Sequence, residues 1–246
     1  MRVRYVYVVV AGALVMFAIE MVRQRREGQY VRAITAEIVQ RAGAADNRSR
    51  VIALRDYLRE RVTYREAVHG DRPFLRATAA ETLHSGQGYC GEVTRAFINM
   101  ADAVGVQSQR INLYGRDNHV VAEAELRPGE FVLVDSQNPP HVRDLESLDE
   151  VILRPEYDDY STLHLRRLHL NWLVTRVKLE LGPLTYLIEN PHALKSALWL
   201  ALAVTLLVGN FLLIGGRSLA RRMLTRRGWA PVIDDRELEV SPNQVG

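Results

Sequence analysis

One cysteine occurs in the 246 residues of this chain, and it stands among glycines, in Ser85-Gly86-Gln87-Gly88-Tyr89-Cys90-Gly91-Glu92. A single cysteine excludes an intrachain disulfide framework and a multi-cysteine zinc site. It leaves open a nucleophile. After it, Val93, Phe97, Ile98, Ala101 and Val104 recur at helical spacing, and Gly105 offers a left-handed stop. Cys90 is therefore expected in the first turn of an amphipathic helix. There the unpaired backbone N–H groups and the positive dipole end favour thiolate over thiol. The glycines let backbone come close to whatever approaches the sulfur. The plain alternative is a small buried hydrophobe, as free cysteines usually are. Partners downstream separate the two readings.

A thiolate that attacks a carbonyl needs an imidazole to hold the ion pair and later protonate the leaving amine. It also needs a carboxylate to fix the imidazole tautomer. Beyond Gly105 the period changes from helical to alternating, so residues 106–114 read as a strand, 115–118 as a turn and 119–126 as a second strand. In that second strand Val120, Ala122, Ala124 and Leu126 form the apolar face, and His119, Val121, Glu123 and Glu125 the opposite, polar one. Arg127-Pro128-Gly129 turns the chain into Phe131-Val132-Leu133-Val134-Asp135. With those three turn residues as the loop and Gly129 left-handed, Leu126 pairs with Glu130 and His119 faces Gln137. Asp135 is then a diagonal neighbour of His119 on the same face, within reach of its ring. Of seven histidines, only His119 stands on such a face with an acid beside it.

Other elements must carry these groups. Residues 29–41 suit a short amphipathic helix that continues from the apolar segment before it and is ended by Gly43. Ser49 can cap another helix, with Ile52, Leu54, Tyr57 and Leu58 toward a core. Val62-Thr63-Tyr64 reads as extended, residues 70–73 as a turn, and residues 78–84 as a helical turn leading to the cysteine loop. Residues 144–159 are acidic and read as a solvated loop, with a cation site the less favoured alternative. Residues 161–181 read as a mixed-charge juxtamembrane helix.

Two apolar segments set the surroundings. YVYVVVAGALVMFAIEMV starts at Tyr5, and SALWLALAVTLLVGNFLLI starts at Ser196. Each is about long enough to cross a bilayer. The first lacks a small-residue cleavage site, which favours a retained anchor over a signal peptide. The second has no polar face, unlike a core helix. Arg217, Arg221, Arg222, Arg226 and Arg227 follow the second segment, so the positive-inside rule places the C-terminal tail in the cytoplasm. Two crossings then put both termini in the cytoplasm and the intervening region outside it. The expected divisions are an anchor over 1–22, a linker helix over 23–48, the cysteine domain over 49–143, an acidic and juxtamembrane stretch over 144–194, a membrane helix over 195–216 and a basic tail over 217–246. A formal net charge of only +3 gives no reason to expect nucleic acid as a partner.

The residues resemble the transglutaminase-like superfamily, whose members share a papain-like α+β core, which implies a cysteine-bearing helix packed on an antiparallel sheet. GYCGE from Gly88 is similar to its cysteine motif, and AVGVQSQRINLYG from Ala103 to the segment that follows it. HVVAE from His119 is similar to its histidine strand, and FVLVDS from Phe131 to its aspartate strand. The resemblance covers roughly residues 50–140. It implies Cys90 as nucleophile, His119 as base and Asp135 as orienter. The oxyanion hole would use the Cys90 N–H and a side chain, with Gln87 or His84 as candidates. Where the family often has a cleft-walling tryptophan two residues after the histidine, this chain has Val121. The resemblance implies a thiol enzyme that hydrolyses an amide of a protein or peptide, or passes its acyl group to an amine, with no metal or organic cofactor. Two alternatives stand beside it. One is a non-catalytic binding or assembly module within a membrane complex. The other is a peptidoglycan-directed peptidase of the other papain-like type, which lacks this His-then-Asp strand pair.

Overall fold

The computed structural model describes residues 2–65, 77–114, 119–152, 154, 161–162 and 182–228. Helix α1 (Arg2–Ala42) runs for 41 residues, the amphipathic stretch continuing without a break from the first apolar segment. It stops at Gly43, which adopts φ +60°. Helix α2 (Asn47–Arg61) begins earlier than Ser49. Asp46 is its cap, accepting from the Ser49 N–H at 2.7 Å, and Ser49 is the reciprocal partner, its Oγ accepting from the Asp46 N–H at 3.2 Å. Strand β1 (Thr63–Tyr64), helix α3 (Ala79–Ser85), strand β2 (Gln87–Gly88) and helix α4 (Cys90–Ala103) follow, with β1 and β2 paired in parallel. Strands β3 (Ser108–Tyr114), β4 (His119–Arg127) and β5 (Glu130–Val134) come next, then helix α5 (Leu148–Ile152) and strand β6 (Ser161–Thr162). Helices α6 (Gly182–Glu189) and α7 (Pro191–Arg226) complete the described chain. The larger sheet is antiparallel in the order β5-β4-β3-β6.

Ser161 and Thr162 are strand rather than the start of a helix, because they pair with Tyr114 and Leu113 at the edge of the sheet. The rest of the helix expected through residue 181, the turns at 70–73 and 115–118, most of the acidic run beyond residue 152 and the tail beyond residue 228 lie outside the described residues.

Residues Ala18–Ser196 form one compact unit, wider than the 49–143 stretch expected. Its main core joins Val51, Leu54 and Leu58 of α2 and Val93, Phe97 and Met100 of α4 to the sheet residues Ala122, Ala124, Val132 and Val134. Val31 and Ile38 of α1 complete it. The face of β4 expected to be polar is covered as well. Val121 packs there with Leu113, Leu133, Val142 and Val151 in a second cluster, and is fully buried. Alternation alone could not reveal this, since the covering residues Val142 and Val151 come from irregular chain and the short α5. The β4–β5 register from Ala122↔Val134 to Glu125↔Phe131 is the one that sets His119 opposite Gln137. At the turn it shifts, and Arg127 rather than Leu126 pairs with Glu130. The loop is thus two residues with a bulge before it, and Gly129 at φ +80° supplies the left-handed position.

Residues Met1–Phe17 and Ala197–Gly246 form the other unit. Val10, Ala13 and Ala203 are buried together there, the two alanines letting the helices approach closely. Most of the remaining apolar surface is bare: Val8 is 69% exposed and Phe211 76%. Among the described residues, two helices are long and apolar enough to cross a membrane. Their apolar windows are only 17% and 6% buried, which is unlike the core helix of a soluble protein.

Gly86 ends α3 at φ +64°, and a Cβ there would meet the Arg61 carbonyl oxygen at 3.1 Å. Gly86→Ala is expected to lower stability by about 1–2 kcal/mol through left-handed strain. A urea-unfolding midpoint unchanged from wild type would contradict this.

Candidate active site

Cys90 is the first residue of α4, directly after an extended Tyr89 (φ −94°, ψ 172°). The turn is anchored by Glu92, whose carboxylate accepts from the Ala77 N–H at 3.0 Å and the Tyr89 N–H at 3.4 Å. β2 holds the preceding residues, with Gly88 beside Tyr64. Gly88 has no spare room, since a Cβ would meet the Thr82 methyl at 3.1 Å. The sulfur therefore sits at a helix mouth, where the first backbone N–H groups have no partner within the helix. Cys90 is partly exposed, not sealed among apolar side chains.

His119 opens β4, and Asp135 follows directly on the end of β5. Both are buried, at 3% and 1% exposure. The His119 Nε2 lies 3.0 Å from Asp135 Oδ2. That leaves Nδ1 as the nitrogen available to the sulfur. Asp135 is further fixed by backbone donors: the Gln137 N–H to Oδ1 at 3.1 Å, and the His141 and Val142 N–H groups to Oδ2 at 2.7 and 3.1 Å.

Charge follows from this geometry. Burial alone would lower the His119 pKa, but hydrogen bonding to Asp135 and Cys90 and the negative charge of both raise it to about 9. For Asp135 burial pushes upward. The His119 hydrogen bond and charge and the Val142 and His141 N–H groups outweigh it, holding the carboxyl below the usual carboxylate range. At neutral pH the pair is imidazolium and carboxylate.

Several supporting groups had no motif to announce them. The His141 ring stacks on His119, with centroids 4.7 Å apart and planes 20° from parallel. Arg59 of α2 donates from Nε and Nη2 to the Asp135 carbonyl at 2.9 and 2.6 Å. The same Nη2 reaches Asp144 at 3.0 Å, and Arg55 reaches the same carboxylate oxygen at 2.8 Å. Asp144, counted in the sequence as part of a solvated acidic run, is thus paired against α2. The spacing of Arg55 and Arg59, one helical turn, was the available signal.

Comparison with known families now bears on this arrangement. The model of the transglutaminase-like superfamily matches residues 32–136, which include Cys90, His119 and Asp135. The chain carries a transglutaminase-like domain. No curated protein matches the chain. Among solved structures, similarity is found to a candidate cysteine protease from Cytophaga hutchinsonii, at 18% identity and a TM-score of 0.38, covering 46% of this chain and 38% of that one. A candidate protease from Parabacteroides distasonis matches at 16% identity and a TM-score of 0.36, over 48% of this chain and 25% of that one. The match thus spans well under half the length of either.

Within the transglutaminase-like domain the remaining sequence candidates lie as follows. Gln87 is exposed in β2, its side-chain oxygen 3.5 Å from Arg65 Nη1. His84 is near the end of α3, its ring edge-on to Tyr30 with centroids 6.4 Å apart. Val121 does not wall a cleft, because its side chain is wholly inside the second core cluster.

Proposed function

We propose that the chain is a membrane-anchored thiol hydrolase, a cysteine peptidase or amidase of the transglutaminase-like kind, acting through Cys90, His119 and Asp135. The observation that carries the reading is the buried His119–Asp135 pair, with its imidazole acting on Cys90 at the start of α4. Imidazolium beside sulfur stabilises thiolate, the attacking form. The thiolate adds to the amide carbonyl, and the oxyanion is met by the Cys90 backbone N–H together with a side-chain donor for which Gln87 and His84 remain the candidates. As the C–N bond breaks, His119 gives its proton to the departing amine, and Asp135 holds the ring through Nε2. Neutral His119 then takes a proton from water, which adds to the thioester and releases the acid. An amine in place of water gives transfer. We assign hydrolysis because it needs one bound substrate rather than two.

The arginines after the second apolar segment, Arg217, Arg221, Arg222, Arg226 and Arg227, support an assignment of the C-terminal tail to the cytoplasm and the domain to the opposite side. The test uses the full chain in detergent with a thiol-directed activity probe, followed by peptide amides scored for amine release. Labelling at Cys90 and release abolished by Cys90→Ser are expected. An unlabelled Cys90, with binding partners retained by Cys90→Ser, would instead favour the assembly-module reading.

A further inference from the structure

The cysteine turn is held from a part of the chain that lies outside its motif. Arg110 of β3 donates from Nε and Nη2 to the two Glu189 carboxylate oxygens at 2.7 and 2.6 Å, and the same Nη2 donates to the Gly91 carbonyl at 3.0 Å. Gly91 is the residue after Cys90. A Cβ on it would stand 3.3 Å from Arg110 Nη1 and 3.1 Å from the Tyr89 hydroxyl, so the contact depends on glycine. Glu189 ends α6, and its side chain is 4% exposed. It also faces Arg95 of α4, at 3.6 Å. Arg95 donates to the Ala77 carbonyl at 2.7 Å, and the Ala77 N–H is bound by Glu92. One carboxylate therefore organises two arginines, and each arginine holds one side of the cysteine turn.

We propose that Arg110, oriented by Glu189, is a positioning residue for Cys90: it fixes the first turn of α4 so that the sulfur meets the His119 ring. This deepens, and rests on, the reading of Cys90 as nucleophile. The planar guanidinium suits the task because it can serve a carboxylate through two donors and still reach a carbonyl, which an ammonium on a flexible stem does poorly. The charged groups facing the turn are Arg110 from β3, Arg95 and Glu92 from α4, Glu189 from α6 and His119 from β4. Burial would lower the Arg110 pKa, but the Glu189 hydrogen bond and charge, then the charges of Tyr89 and Cys90, raise it. The arginine stays cationic against the carbonyl of the residue after Cys90.

The experiment follows alkylation of Cys90 by iodoacetamide against pH, in the full chain in detergent, for wild type, Glu189→Gln, Arg110→Lys and the double variant Arg110→Met/Glu189→Leu. The double variant replaces the Arg110–Glu189 ion pair with apolar groups but leaves Arg95 without its carboxylate, so the melting temperature of each variant is measured beside its rate. Wild type is expected to react faster than glutathione at pH 6. Glu189→Gln and the double variant are expected to react roughly tenfold to a hundredfold more slowly, as misplaced groups do. Their rates should climb with pH like those of a free thiol, while Arg110→Lys recovers only part of the loss. Wild-type rates in a melting-competent Glu189→Gln and double variant would overturn the positioning role alone. A wild type no faster than glutathione would overturn the nucleophile reading beneath it.

Discussion

In the His119→Ala variant, alkylation of Cys90 at pH 6 is expected to fall about a hundredfold, and amide hydrolysis to fall at least ~10⁴-fold. A free thiol, with a pKa of about 8.5, is only a fraction of a per cent ionised at pH 6. The wild-type sulfur has an imidazolium that persists to about pH 9 as its neighbour. Removing that positive neighbour should therefore slow alkylation at pH 6 in both His119→Ala and a charge-free replacement of similar size. The ring is buried at 3% exposure, so its removal also leaves a cavity against His141 and Asp135 with the carboxylate short of a donor. His119→Gln keeps more of that volume and separates the chemical loss from the packing loss. Alkylation at the wild-type rate at pH 6 in both variants would refute the ion pair.

Asp135→Asn is expected to weaken both catalysis and folding. Oδ2 accepts from His119 and from the His141 and Val142 N–H groups, and Oδ1 from the Gln137 N–H. An amide has one acceptor oxygen, so either orientation points an NH₂ at donors. One or more buried N–H groups then lose their partner, for a loss of about 2–4 kcal/mol. Hydrolysis should fall ~10³–10⁴-fold, because the ring loses both its fixed tautomer and its charge partner.

The pH dependence of stability gives an independent check. The Asp135 pKa is lowered on folding, so its contribution is present above the unfolded value of about 4 and is lost as pH falls through the folded one. The His119 pKa is raised, so its contribution is fully present below about pH 6.5 and is lost as pH rises through about 9. Urea midpoints should thus peak between those limits in wild type. In Asp135→Asn both flanks should flatten, and unchanged flanks would show that the pair does not couple to folding.

The readable parts of this molecule were those with local signals. Helical spacing after Cys90, the stop at Gly105 and the alternation through His119 and Phe131 were enough to put a helix and two strands in place. Counting back from the turn set Asp135 beside His119 despite a misjudged loop, because the bulge falls between Glu125 and Arg127, beyond the pairs that matter. What escaped was set by tertiary contact. The burial of Val121 depends on Val142 and Val151. Arg59, His141 and Arg110 act on the site through carbonyls and stacking, contacts that leave no pattern of residue types along a chain. The width of the compact unit was hidden for a similar reason, since Val31 and Ile38 read as a linker until the core they enter is known.

The ion pair between Arg110 and Glu189 joins positions 79 residues apart. During synthesis the cysteine turn therefore emerges well before the carboxylate that steadies it. A nascent chain that already contains Cys90, His119 and Asp135 still holds an uncompensated guanidinium at that spot, a poor state to bury. Arg110 meets that carboxylate only after α6 has been made, so the ion pair cannot steady the cysteine turn before then.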